Sequence, residues 1–132
     1  MDLKNILSGL EELKVKGNLD IDINKIKNNS KDVQDNDMFI AIKGFDFDGH
    51  ECILEAIENG AKVILAQEDG IDKNILKQIP ENVTLVLTKN TRYALAIAAC
   101  NFYKNPSKKM KLIGVTGTKG KTTTTYMISN IL

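Results

Sequence analysis

Apolar positions along the chain alternate between short unbroken runs and series spaced three or four apart. Leu3, Ile6, Leu7 and Leu10 have helical spacing behind Asp2, a residue able to cap exposed amides, and predict a short first helix. Ile21, Ile23 and Ile26 alternate as a strand would, ending in the polar cluster Asn28-Asn29-Ser30-Lys31-Asp32. The segment Asp37 to Gly44, DMFIAIKG, has an almost unbroken apolar centre, Met38 to Ile42, which predicts a strand covered on both faces. After the turn FDFDGH, Ile53, Ala56 and Ile57 restore helical spacing, with Asn59-Gly60 as a left-handed stop. AKVILA, residues 61–66, predicts a second buried strand, and VTLVLT, residues 83–88, a third. Between them residues 71–79 predict a short helix closed by Pro80. Thr91 to Asn105 is apolar almost all round from Tyr93 to Tyr103, predicting a deeply buried helix that ends at Asn105-Pro106.

Strands alternating with helices predict an α/β fold. The basic stretch Lys108 to Lys111 reads as a solvated linker, dividing the chain into a first unit, residues 1–108, and a second from 109 to 132. Charge adds little, since 18 Lys and Arg against 17 Asp and Glu leave no field to recruit nucleic acid or an anionic membrane. The apolar runs fall far short of the roughly 20 residues that span a bilayer, and the first residues lack a signal-peptide core. Cys52 and Cys100 form no CxxC pair and are expected to be buried reduced thiols in a cytoplasmic protein.

The chemistry is concentrated in the last residues, KLIGVTGTKGKTTTTYMISNIL. Leu112, Ile113 and Val115 predict a strand; the loop TGTKGKTT follows, and Met127, Ile128, Ile131 and Leu132 predict a helix. Strand, glycine loop, Lys-Thr and helix together cradle a polyphosphate. Gly117 and Gly120 let the backbone turn sharply and bring amides close to phosphate oxygens, with Thr118 and Lys119 contributing to the same anion nest. Lys121 is the candidate catalytic residue, reaching the β- and γ-phosphates of a bound polyphosphate, and the Thr122 hydroxyl is sited for Mg²⁺, with Thr123 beside it. The spacing departs from G-x-x-x-x-G-K-T, since Val115 stands five positions before Gly120.

That shortened loop resembles the Mur ligase and folylpolyglutamate synthetase superfamily. Asn101 to Thr125 and Asp37 to Asp69 resemble the Mur ligases, in particular the branch that adds the third peptide residue. The resemblance implies an N-terminal domain that binds a UDP-N-acetylmuramoyl-peptide, followed by the first strand, phosphate loop and helix of a central ATPase domain. It implies an ATP- and Mg²⁺-dependent amide ligase that activates a peptide carboxylate as an acyl phosphate and joins diaminopimelate or lysine to it. Gly117 to Thr123 match the family's ATP loop, and Ser30 matches the serine of its Asp-Ser-Arg segment, which contacts the uridine diphosphate. Asn29 and Lys31 replace the usual Asp and Arg there, and Lys119 replaces the commoner Asn. By this reading the chain stops inside the ATPase domain and is inactive alone.

Plainer alternatives accompany these roles. Ser30 can bond its own turn. His50, without an identifiable carboxylate partner, reads as a helix-capping or solvated imidazole before a catalytic base. Asp46, Asp48 and Gly49 lack the ligand series of a calcium loop; Lys43-Gly44 reads as a turn, near where the family places UDP contacts. Glu11 and Glu12 read as a solvated helix end, and Tyr93, Phe102 and Tyr103 as core or interface. The apolar residues after Lys111 are expected to fold back on the first unit, pair with another chain or stay disordered. Competing functions are the sister ligase that adds the terminal dipeptide and a standalone nucleotide-binding module.

Overall fold

The three unbroken apolar runs become neighbouring parallel strands in the computed structural model, which describes residues 1–45, 47–111 and 113–131. They are β3 (Met38–Ile40), β4 (Val63–Gln67) and β5 (Thr84–Thr88), in register Met38 to Val63 and Ile64 to Leu85. β2 (Ile26–Lys27) adds a parallel partner beside β3, and β1 (Lys14–Lys16) pairs antiparallel with β5. The five-stranded order is β1-β5-β4-β3-β2.

Alternation along each strand divides the core into two layers. Met38, Ile40, Val63, Leu65 and Val86 face α1 (Leu3–Leu7) and α4 (Thr91–Phe102). Phe39, Ala41, Ile64, Ala66 and Leu85 face α2 (Ile53–Glu58) and α3 (Lys73–Gln78). Each large side chain fully buried this way is worth about 1.5–3 kcal/mol. From β3 to β5 each crossover steps one position in the same direction, and right-handed connection puts α2 and α3 on one face. Side chains close the helix starts: Asp2 accepts from the Asn5 amide at 3.3 Å, and Asn90 from that of Tyr93 at 3.0 Å.

Several expectations need correction. The strand expected over residues 21–26 shrinks to Ile26–Lys27, with Asp22 only bridging Asp2, because Ile21 and Ile23 turn into the α1 layer. β1 went unforeseen because Lys-Val-Lys holds one apolar residue; it is an exposed edge whose lysines discourage further pairing. α4 is one-sided, with Thr91, Ala94 and Ala98 buried and Tyr93 exposed, since small alanines let that face approach α1 closely. Cys100 on its open side is exposed and Cys52 half-buried, so neither is the fully buried thiol expected.

Beyond a short 3-10 turn at Pro106–Lys109, residues 113–116 form no strand, because no described strand offers them a ladder of amides and carbonyls. Leu112 and Leu132 lie outside the described residues. α5 (Lys121–Ile131) forms a regular helix with no buried residue and exposes Tyr126, Met127 and Ile131. The fold-back and the disorder considered for this segment are therefore not what the structure has.

Candidate functional site

Two places gather polar chemistry. The first is the edge where parallel strands β2 to β5 end, the edge at which open α/β sheets bind ligands. Ser30 follows β2, the turn from Lys43 to Asp48 follows β3, Gln67 closes β4, and Lys89 to Arg92 follow β5.

Ser30 is 5% exposed and begins a 3-10 turn capped by Asn29. Its hydroxyl donates to Glu55 Oε2 at 2.5 Å and its carbonyl accepts from Asn59 Nδ2 at 3.0 Å. Both polar atoms are thus engaged with α2, joining the end of β2 to the helix after β3.

His50 departs from its expected roles. It is 2% exposed, its Nδ1 stands 2.6 Å from Asp48 Oδ1, and its Nε2 accepts from the Gln67 amide at 3.0 Å. It is neither solvated nor without a carboxylate partner. The pairing needs Asp48 to cap the 3-10 turn, Gly49–Cys52, that carries His50, which a sequence does not display. Burial opposes the charge on Asp48, yet the His50 amide and imidazole outweigh it and hold the carboxyl below its ordinary range. Asp48 is therefore committed to His50, and Asp46 of the discounted calcium loop lies outside the described residues.

Lys43 bridges Asp48 across the turn, and the Gly44 amide donates to the Phe47 carbonyl at 2.8 Å. Phe45 and Phe47 stand exposed from it. Arg92, the sole arginine, donates to the Lys43 carbonyl at 3.0 Å and fixes the turn to α4. Nothing in its local sequence distinguishes Arg92. At the same edge Glu12 pairs with Lys89 at 2.5 Å, and that ammonium keeps the Glu12 carboxyl low. Tyr103 is exposed and meets the half-buried Phe102 edge-on at 5.3 Å. A groove of about 490 Å³ lies elsewhere, between β1 and the end of α3, and its walls are mainly apolar.

The second place is the glycine loop. Gly117 (φ 153°) and Gly120 (φ 76°) take the left-handed conformations their type was expected to supply. Lys121 opens α5 and folds back so that its Nζ donates to the Gly117 carbonyl at 2.5 Å. Thr124 and Thr125 hydroxyls bond back to the Gly120 and Thr122 carbonyls at 2.9 and 2.7 Å, the partners open to a threonine within a helix. Among the described residues the Thr122 and Thr123 hydroxyls have no such partner. An open anion nest, a helix N-terminus, an ammonium and a free hydroxyl suit a polyphosphate with its divalent cation.

A family profile described as "Mur ligase family, catalytic domain" matches residues 22–103, from just before β2 through α4. The chain belongs to the Mur ligase family. Among its relatives within that family is the UDP-N-acetylmuramoyl-L-alanyl-D-glutamate–2,6-diaminopimelate ligase of Clostridium tetani, 49% identical over 132 residues. UDP-N-acetylmuramyl-tripeptide synthetase 2 of Oceanobacillus iheyensis is 40% identical over 133 residues. Each match takes in 100% of this chain and 26% of the relative, so the chain spans about a quarter of their length. Among solved structures, the UDP-N-acetylmuramoylalanyl-D-glutamyl-2,6-diaminopimelate–D-alanyl-D-alanyl ligase of Acinetobacter baumannii aligns at TM-score 0.59 and 30% identity. That alignment covers 83% of this chain and 22% of the other. The ligase MurF of Thermotoga maritima, solved with ADP, aligns at 0.52 and 33% identity over 76% of this chain and 21% of its own. The α/β fold expected from the sequence is shared with the aligned parts of these ligases.

Proposed function

We propose that this chain supplies the UDP-substrate domain and the ATP loop of a ligase adding the third residue to UDP-N-acetylmuramoyl-L-alanyl-D-glutamate through an acyl phosphate. The observation that carries this reading is the glycine loop at the start of α5, joined to a sheet domain of the Mur ligase family. The names of the relatives favour diaminopimelate over lysine as the residue added. The boundary near residue 108 separates a domain that holds the uridine end from a segment, 109–132, that holds nucleotide.

In this reading Gly117 to Gly120 present amides to the phosphates, Lys121 exchanges the Gly117 carbonyl for a phosphate oxygen, and Thr122 and Thr123 offer hydroxyls, Thr122 to Mg²⁺. The uridine diphosphate lies along the strand-end edge, where Ser30 reaches it only by releasing Glu55. The chain binds but does not turn over substrate alone, and the reaction belongs to the cytoplasm, where ATP and the UDP-linked substrate are found. Among the described residues no helix is long and apolar enough to cross a membrane. Tyr126, Met127 and Ile131 form the face through which another chain would associate.

The neighbouring ligase structures support a second reading, addition of a terminal dipeptide, though the 49% relative favours the third-residue enzyme. Calorimetric titration with UDP-muramoyl-dipeptide, UDP-muramoyl-tripeptide and ATP separates the readings. Tighter binding of the dipeptide compound is expected; preference for the tripeptide compound would favour the sister enzyme. ATP binding with no response to any uridine compound would leave only a nucleotide-binding module.

A further inference from the structure

We propose that His50 is the positioning residue of the strand-end edge, its neutral imidazole holding the turn from Lys43 to Asp48 against the end of β4. The effect on ligand rests on the reading that the uridine part of the substrate lies at this edge; the contact itself does not.

The ring bridges two elements. Gln67 N–H donates to Nε2, so Nε2 carries a lone pair and the ring proton sits on Nδ1, donating to Asp48 Oδ1. Only one neutral tautomer satisfies both partners. A second proton would aim Nε2–H at the Gln67 N–H, orphaning a backbone donor around a ring that is 2% exposed. The turn's own backbone bonds, Gly44 to Phe47 and Gly49 to Ile42, keep its shape but do not reach β4. Arg92 ties its start to α4; among the described contacts His50 ties its end to β4.

Gly70 gives independent support. A Cβ there would fall 2.9 Å from His50 Cε1 and 3.0 Å from Nε2, so the absent side chain makes room for the ring. Among the described residues the charged groups around it are engaged or exposed. On the turn, Asp48 faces the ring and Lys43 acts on Asp48. From the segment after β4, Glu68 is held by Lys14 and Asp69 by the Gln67 side-chain amide. On the ring's own 3-10 turn, Glu51 is exposed.

Two substitutions split the bonds. His50→Gln can accept from the Gln67 amide without titrating, and His50→Asn can donate to Asp48 but not reach Gln67. Both are read in the 132-residue chain as affinity for UDP-muramoyl-dipeptide near neutral pH. His50→Gln should bind within about threefold of the parent, whereas His50→Asn should bind about tenfold more weakly. A role confined to stability would lower melting temperature in both and leave both affinities at the parent's value, which overturns the proposal. So does a nitrogen-15 spectrum near neutrality with the proton on Nε2.

If the parent chain binds no uridine compound, the assignment of the edge fails, and amide exchange decides the positioning claim. Faster exchange at Gln67 and Gly44 in His50→Asn than in the parent, compared at the same pH, supports it. Equal rates overturn it.

Discussion

The sheet domain, residues 1–103, and the loop-helix segment, residues 106–131, use the same alternation of apolar runs and glycine turns, with opposite outcomes. In the first, every strand has a neighbour and each helix covers a face, so Phe39, Ile64 and Leu65 are almost wholly buried. In the second, α5 holds its backbone bonds while Ile113, Met127 and Ile131 stay in solvent. Apolar periodicity specifies an element; burial depends on which surfaces that element can reach.

The contrast is sharpest in stability. Leu65→Ala should cost about 2–5 kcal/mol in urea unfolding, since the site is closed on all sides. Met127→Ala should change stability by less than about 0.5 kcal/mol, and an equal loss at both sites would show that α5 is packed in solution. Lys121→Ala should leave the melting temperature unchanged and weaken ATP binding about 10- to 100-fold in calorimetry, the worth of one charge-assisted contact. Ser30→Ala should destabilise the sheet domain by about 1–2 kcal/mol by stranding Glu55, measured as a shift in urea midpoint.

The smallest effect is acid sensitivity. Because folding lowers the Asp48 carboxyl, its contribution is fully present above the ordinary carboxylate value of about 3.9. It is lost as pH falls through the folded value. Unfolding measured from about pH 6 to about pH 3 should show a shallower loss in Asp48→Asn than in the parent. Parallel curves would contradict the His50 pairing.

What could be read from the chain follows the same division. β3, β4 and β5 were legible because strands buried on both faces leave unbroken apolar runs, and the glycine loop because few other structures need Gly-Lys-Thr after a hydrophobic run. β1 was not, since an edge strand contributes one valine between two lysines. The extent of α4's burial was overread because alanine scores as apolar on whichever face it lies. At the strand-end edge Ser30 was visible through its resemblance, but Glu55 is 25 residues away along the chain. The His50–Gln67 contact spans 17 residues and Arg92 to Lys43 spans 49, so no local pattern carries either.

The folded-back ammonium of Lys121 bears on what a nucleotide titration would report. If the loop takes a nucleotide as proposed, loading would swap one carbonyl for one phosphate oxygen, and the heat released would be a difference between two bonded states. A lysine already tethered would surrender little rotational freedom on loading, tilting the thermodynamic signature toward entropy. The same tether would make Gly117 a gatekeeper through its main chain alone, so that distorting that peptide group would retune nucleotide affinity with every side chain of the nest intact.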